Sequence, residues 1–244
     1  MLPTIEGVIA RRILLNYWAD AEVVAKLVPK PLKVATHRGL AVVGICLIRL
    51  ERLRPRGLPE ILGMSSENMA HRIAIEFPDG EGTHPGVYIL RRETDCSLVQ
   101  LFGGRLFPGV QGKARFDVHE TEQSLSIDVY SADGRADIGV KTEPISQFTP
   151  TRLFQSAEEM SEFFRNGDCG FSCSLHGGKL EGMRLKTLEW KVSMRNIVSA
   201  RSAVFDDPEI FPKGSIGLDC ALLMRNVPHE WHELKNVPEL AAYD

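Results

Sequence analysis

Lys113 is the first residue of this chain whose type and setting could do covalent chemistry. An amine attacks a carbonyl only when its charged form is destabilised, by burial or by a neighbouring cation. Arg115 lies two residues on, and in an extended strand positions 113 and 115 share a face. The same alternation puts Lys113, Arg115, Asp117 and His119 opposite Ala114, Phe116 and Val118. That pattern reads equally well as a solvated strand face, unless the polar side lines a barrel interior.

Arg105 sits nearby in the stretch TDCSLVQLFGGRLFPGVQGK, Thr94 to Lys113. Here an apolar run meets Gly103 and Gly104, and Pro108–Gly109 is a strong turn signal. A short amphipathic helix ending in such a turn would carry Arg105 into a pocket, where a guanidinium can anchor a carboxylate. A plain connection between two strands explains the same residues. Glu67 and His71 form a second group: four apart in a strand they share a face, and a carboxylate beside an imidazole can move a proton. Arg72 and Glu76 share the other face, so a half-exposed strand with alternating charges is the simpler reading. A third group, Cys169-x3-Cys173-x2-His176, lacks the second ligand pair of a zinc knuckle and reads as core cysteines, with no metal expected. His229 and His232 flank Trp231 and read as a packed tail. No P-loop, dinucleotide fingerprint, serine-hydrolase elbow or HExxH helix is present, so no cofactor is expected.

The elements that must position these residues are mostly strands. Val8–Tyr17 reads as a first strand in which one of Arg11 and Arg12 must point to the opposite face. Asp20 opens a two-turn helix with Val23, Val24, Leu27 and Val28 on one side, stopped by Pro29 and Pro31. Leu40–Leu50 is a long apolar strand. Two hairpins follow, Asn68–Phe77 with Gly86–Arg92 and Lys113–His119 with Ser124–Tyr130, then a strand near Ala136–Lys141. Ser156-Ala-Glu-Glu159 matches a capping box and starts a helix carrying Met160, Phe163 and Phe164, closed by Gly167. Gly170–His176, Leu185–Met194 and Gly217–Met224 complete the set. The expected class is α+β, mostly antiparallel β, a barrel or large sheet with a few short helices.

Length and composition agree with one domain over 1–244, because no repeat, linker or composition break divides the 244 residues. A formal net charge of −3 offers no footprint for nucleic acid. No window approaches the ~20 apolar residues of a membrane span. Five scattered cysteines suit reduced thiols in a cytoplasm better than a disulfide framework.

Three segments carry a resemblance: YWADAEVVAKLVPKPLKV, GLAVVGICLIRLERLRPRGLP and HPGVYILRRETDCSLVQLFGGRLF. Together they resemble the DUF2071 (YqjF-like) family, and the first also resembles acetoacetate decarboxylase, whose superfamily that family is thought to join. The match is good over Ile9–Tyr130 and looser beyond. It implies an acetoacetate decarboxylase-like β-barrel with a small-molecule pocket between sheet and helix. That superfamily's decarboxylases carry their Schiff-base lysine in a pair of adjacent lysines. A gapless placement from Arg105 sets Leu106 where a glutamate stands and Gly112–Lys113 where the lysines stand; a one-residue shift gives Lys113 the nucleophile's role. The family's N-terminal arginine corresponds to Arg11 or Arg12. Two functions follow as expectations. One is a binding protein for a small carbonyl or carboxylate compound that lacks the lysine pair and is not a true acetoacetate decarboxylase. The other is a lyase- or hydratase-like enzyme on a small keto acid, with Lys113 as amine or cation, Glu67 as proton shuttle, and Arg105, Arg12, His71 and Arg115 around the substrate. Neither expectation includes a nucleic-acid or membrane partner, and both leave room for a homo-oligomer.

Overall fold

The computed structural model describes residues 3–97, 109–174, 179–234 and 237–240. The chain runs β1 (Ile5–Ala19), α1 (Ala21–Ala25), β2 (Lys33–Val34), β3 (Thr36–His37), β4 (Leu40–Pro55), a 3-10 turn at Glu60–Leu62, then β5 (Met64–Pro78) and β6 (Thr83–Thr94). After it come β7 (Gln111–Glu120), β8 (Leu125–Ser131), β9 (Ile138–Pro144), α2 (Ala157–Asn166), β10 (Cys169–Cys173), β11 (Leu180–Thr187), β12 (Val192–Ser202) and β13 (Ile216–Glu233). The class is the expected one, mostly antiparallel strands with few helices. The expected Leu185–Met194 strand is instead the end of β11 and the start of β12, separated by a bend at Leu188–Lys191. The glycine-flanked helix expected within Thr94–Lys113, with Gly103, Gly104 and Arg105, falls largely outside the described residues, as does His176.

Nine strands pair in a closed circuit, β5–β6–β7–β8–β9–β12–β13–β1–β4 and back to β5. Every neighbour in it is antiparallel except β6–β7. The β10–β11 hairpin spans from β6 to β13 and closes a second circuit over the strands the two share. The shared strands therefore bury both faces. That explains why β4 shows eight consecutive buried residues, Ala41 to Ile48, in place of an alternating pattern. One face of β1, β4 and β5 supplies Ile13, Leu15, Ile45, Leu47, Met69 and Ile73 to the larger core. The other supplies Leu14, Cys46, Ile48 and Ala74 to a second core, covered by Phe154, Met160, Phe164 and Leu185.

Helix α2 is the cover of that second core. Ser156 Oγ accepts from Glu159 N at 3.1 Å, and Glu159 Oε2 accepts from Gln155 N at 2.6 Å, so two amides at its start are satisfied. His37 Nε2 lies 2.9 Å from Glu159 Oε1, and Trp190 Nε1 donates to Ser161 Oγ at 2.9 Å, which ties the helix to β3 and to the β11–β12 bend. Phe163 and Phe164 project from its inner side toward the sheet. The shorter helix α1 is capped by Asp20, whose Oδ1 accepts from Glu22 N at 3.0 Å.

Candidate functional site

Between the outer face of the shared strands, α2 and the β10–β11 hairpin lies a cavity of about 280 Å³. Its walls are mainly apolar: Leu14, Ile48, Ile89, Phe163, Phe164 and Leu185 among others. Three arginines also line it, Arg12 from β1, Arg72 from β5 and Arg92 from β6. Strand alternation explains their convergence. Register shifts between Ile9 and Arg11 on β1 and near Leu90 on β6 reset the alternation just before the Arg11–Arg12 and Arg91–Arg92 pairs. As a result Arg11 faces the larger core and Arg12 the cavity, while Arg91 and Arg92 part in the same way.

Arg72 is 5% exposed. Its Nη2 donates to Asn16 Oδ1, and Asn16 is itself fixed by Nδ2 bonds to the carbonyls of Leu14 at 3.1 Å and Cys220 at 3.3 Å. Gly44, paired with Arg72 across β4–β5, makes the room: a Cβ there would stand 3.3 Å from Arg72 Nη2 and 2.6 Å from Leu15 O. The Arg72 guanidinium also lies 5.1 Å over the Phe164 ring. Burial pulls its pKa down to about 10; the Cys46 sulfur pushes the other way and Arg12 pulls it further down. Burial likewise brings Arg92 to about 10, against smaller upward contributions from Cys46 and Glu181. Both remain cations at neutral pH, and among the described residues neither has a carboxylate within ion-pair distance. Arg12 Nε donates to Cys46 Sγ at 3.3 Å.

Among the described residues, Arg72 Nε, Arg92 Nε and Trp231 Nε1 are buried without a hydrogen-bond partner, and all three of these residues line the cavity. All three atoms are donors. Gln111, paired with Arg92 across the parallel β6–β7 step, adds an amide to the wall.

The residues expected from sequence to act together lie apart. Arg12 lines the cavity. Glu67 and His71 face the larger core, on the other side of the sheet. Glu67 Oε2 accepts from Arg11 Nη2 at 2.7 Å, and burial raises its pKa although Arg11 and Arg49 act to lower it. His71 Nε2 lies 3.3 Å from Ser202 Oγ, its ring packs on Phe205 at 5.3 Å, and burial pushes its pKa down to about 3. Lys113 is exposed, and it follows Gln111 by two residues on β7. Arg115 is exposed, pairs with Asp117 and lies 4.4 Å over the Tyr130 ring. Arg105 is outside the described residues. Of the other candidates, Cys169 Sγ is 3.2 Å from Asp168 Oδ1 and Cys173 Sγ 3.4 Å from Tyr88 Oη. Among the described residues no three His, Cys, Asp or Glu converge as metal ligands.

Sequence reasoning missed Arg72 and Arg92 as cavity-lining groups. Arg72 was legible only as a member of a charged strand face. The available signal was an arginine at the end of an apolar run in each of three strands: before Ile13–Leu15, before Ile73–Ile75 and after Val87–Leu90.

Comparison with known proteins agrees with this architecture. The chain belongs to the DUF2071 family of uncharacterized conserved proteins, whose model matches residues 9–209. Its fold is that of acetoacetate decarboxylase-like proteins. It is similar to the crystal structure of acetoacetate decarboxylase from Legionella pneumophila, with a TM-score of 0.61 at 12% identity, over 98% of this chain and 87% of that one. It is also similar to an acetoacetate decarboxylase-like enzyme from Sphingomonas wittichii, with a TM-score of 0.59 at 13% identity, over 98% and 93%. A third similar structure is the enduracididine biosynthesis enzyme MppR complexed with pyruvate, with a TM-score of 0.57 at 9% identity, over 94% and 88%. No curated protein matches the chain significantly. Among the described residues, no helix is long and apolar enough to cross a membrane.

Proposed function

We propose that the cavity binds a small carboxylate with an apolar body, and that the chain does not decarboxylate acetoacetate through a lysine imine. The observation that carries this reading is the set of unpartnered donors on Arg72, Arg92 and Trp231 around one apolar cavity. A buried cation without a counter-ion is costly, and a carboxylate that accepts a guanidinium fork supplies both the charge and the missing acceptors. The apolar walls take the rest of the ligand. The neighbour solved with pyruvate holds a small keto acid on a similar scaffold, which supports the same ligand class.

Imine chemistry needs an amine at the ligand. None of the described residues lining the cavity is a lysine, and Lys113 is exposed. A lyase- or hydratase-like reaction on a small keto acid through Lys113 is therefore the weaker reading. Five unpaired cysteines fit a reducing compartment such as the cytoplasm.

The test is a thermal-shift panel of small aryl and alkyl carboxylates, each beside its neutral amide. Carboxylates are expected to raise Tm and amides to leave it unchanged, because ligands of the native state stabilise by mass action. Amides acting as well as acids would overturn the reading.

A further inference from the structure

Cys46 stands at the centre of the arginine cluster. It lies mid-strand on β4, opposite Leu14 of β1 and Ala70 of β5, and of the five cysteines it alone lines this cavity. Its sulfur takes the Arg12 Nε–H bond at 3.3 Å, and it shares the cavity wall with Arg72 and Arg92. Ala70, its cross-strand neighbour, also lines the cavity, and Cys46 is 9% exposed. The other cysteines are placed differently. Burial pushes the Cys169 thiol up to about 11, and Cys220 is held by Asn16 Nδ2 with its pKa raised by burial. A second observation points to a ligand at the same place: Arg72 is 5% exposed, lines the cavity, and keeps an unpartnered Nε.

We propose that Cys46 is a nucleophile in this cavity, capturing small carboxylates that carry an electrophilic carbon close to the acid group, α,β-unsaturated acids foremost. This rests on the anion-binding reading above and adds a reaction to it. With the carboxylate on the Arg72 and Arg92 guanidiniums, charge-assisted bonds stabilise the electron density that moves toward the acid during addition. Sulfur attacks the β-carbon and a C–S bond forms. The electron pair of the C=C bond moves to the α-carbon, which takes up the proton released by the thiol. The product is a saturated thioether, and no oxidant or other reactant is needed.

Iodoacetate and iodoacetamide provide the test, since they share one electrophilic carbon and differ in the anion. In each, C–S forms, iodide leaves and the thiol proton passes to buffer. Site-resolved mass spectrometry on the whole protein is expected to show Cys46 modified at least about tenfold faster by iodoacetate, equivalent to ~1.4 kcal/mol. The other cysteines are expected to show no such preference. Arg92→Gln and, as a second variant, Arg12→Gln are expected to lower the iodoacetate rate at Cys46 by a larger factor than the iodoacetamide rate. Equal rates, or a preference for the amide, at Cys46 would overturn the proposal. If 3-phenylpropanoate still binds while Cys46 stays unmodified, the nucleophile is refuted and the anion site stands. If 3-phenylpropanoate does not bind either, both fall together.

Discussion

Among the described residues Arg72 hydrogen-bonds one neutral partner, the Oδ1 of Asn16, and burial perturbs it most, ahead of Cys46, Arg12 and Cys220. A buried guanidinium held this way is oriented but not neutralised. In the absence of ligand it weakens the fold, because an apolar residue of similar volume avoids the desolvation cost. Arg72→Met is therefore expected to abolish carboxylate binding at little cost to the unliganded protein, because relief of the desolvation cost offsets the ~1–3 kcal/mol of the orphaned Asn16 Oδ1. Urea midpoints and ligand titration on the same sample check both halves. A variant that is less stable and still binds would refute the assignment of Arg72 to the ligand.

Gly112 and Glu93 show why position 112 carries no side chain. They are paired across β6–β7, and a Cβ on Gly112 would stand 2.6 Å from Glu93 Cδ. Glu93 is 1% exposed and accepts from Arg91 Nε at 2.6 Å, so it has little freedom to move aside. Gly112→Ala is expected to cost ~1–3 kcal/mol, as overpacking does, and Gly112→Lys more. The check is the denaturation midpoint of each variant; unchanged midpoints would show that Glu93 yields readily.

Lys113 is exposed on β7, and the account assigns it no covalent role. Incubation with pyruvate and borohydride, followed by intact-mass measurement, is expected to return unmodified protein. An adduct mapped to Lys113 would restore the imine enzyme.

Two buried histidines, His71 and His229, are expected to make stability fall in acid. Burial holds His71 near 3 and His229 near 4, below the 6.5 of the unfolded chain. Below pH 6.5 the unfolded state then binds more protons than the folded one, so stability falls with falling pH, through about 4 for His229 and about 3 for His71. Each contributes up to ~1.4 kcal/mol per pH unit within its window. Glu67 and Glu93, whose pKa values burial raises, act in the opposite direction above the ordinary carboxylate range and offset part of the loss. His71→Gln is expected to flatten the urea midpoint between pH 6.5 and 4. An unchanged slope would mean that His71 does not govern this range.

Much of the scaffold was legible locally. The apolar run from Leu40, the alternation at Lys113–His119 and the capping box at Ser156 correspond to β4, β7 and α2, since each depends on neighbours within a few residues. The parallel β6–β7 step and the β10–β11 span from β6 to β13 were not legible, because they join segments far apart in the chain. The site shared that difficulty. Arg12, Arg72 and Arg92 stand on three strands, and two register shifts decide which arginine of each Arg-Arg pair faces the ligand space. One residue either way reverses a strand's face. For this reason Glu67 and His71 share a face as expected, yet that face looks away from the cavity.

An anion is expected to complete the Arg72–Arg92 cluster. Isothermal titration with 3-phenylpropanoate and with 3-phenylpropanamide, against the parent protein and Arg92→Gln, tests it most directly. The acid is expected to bind the parent at least about tenfold more tightly than the amide, ~1.4 kcal/mol, and Arg92→Gln to remove the difference. Equal affinities for acid and amide in the parent protein would contradict it.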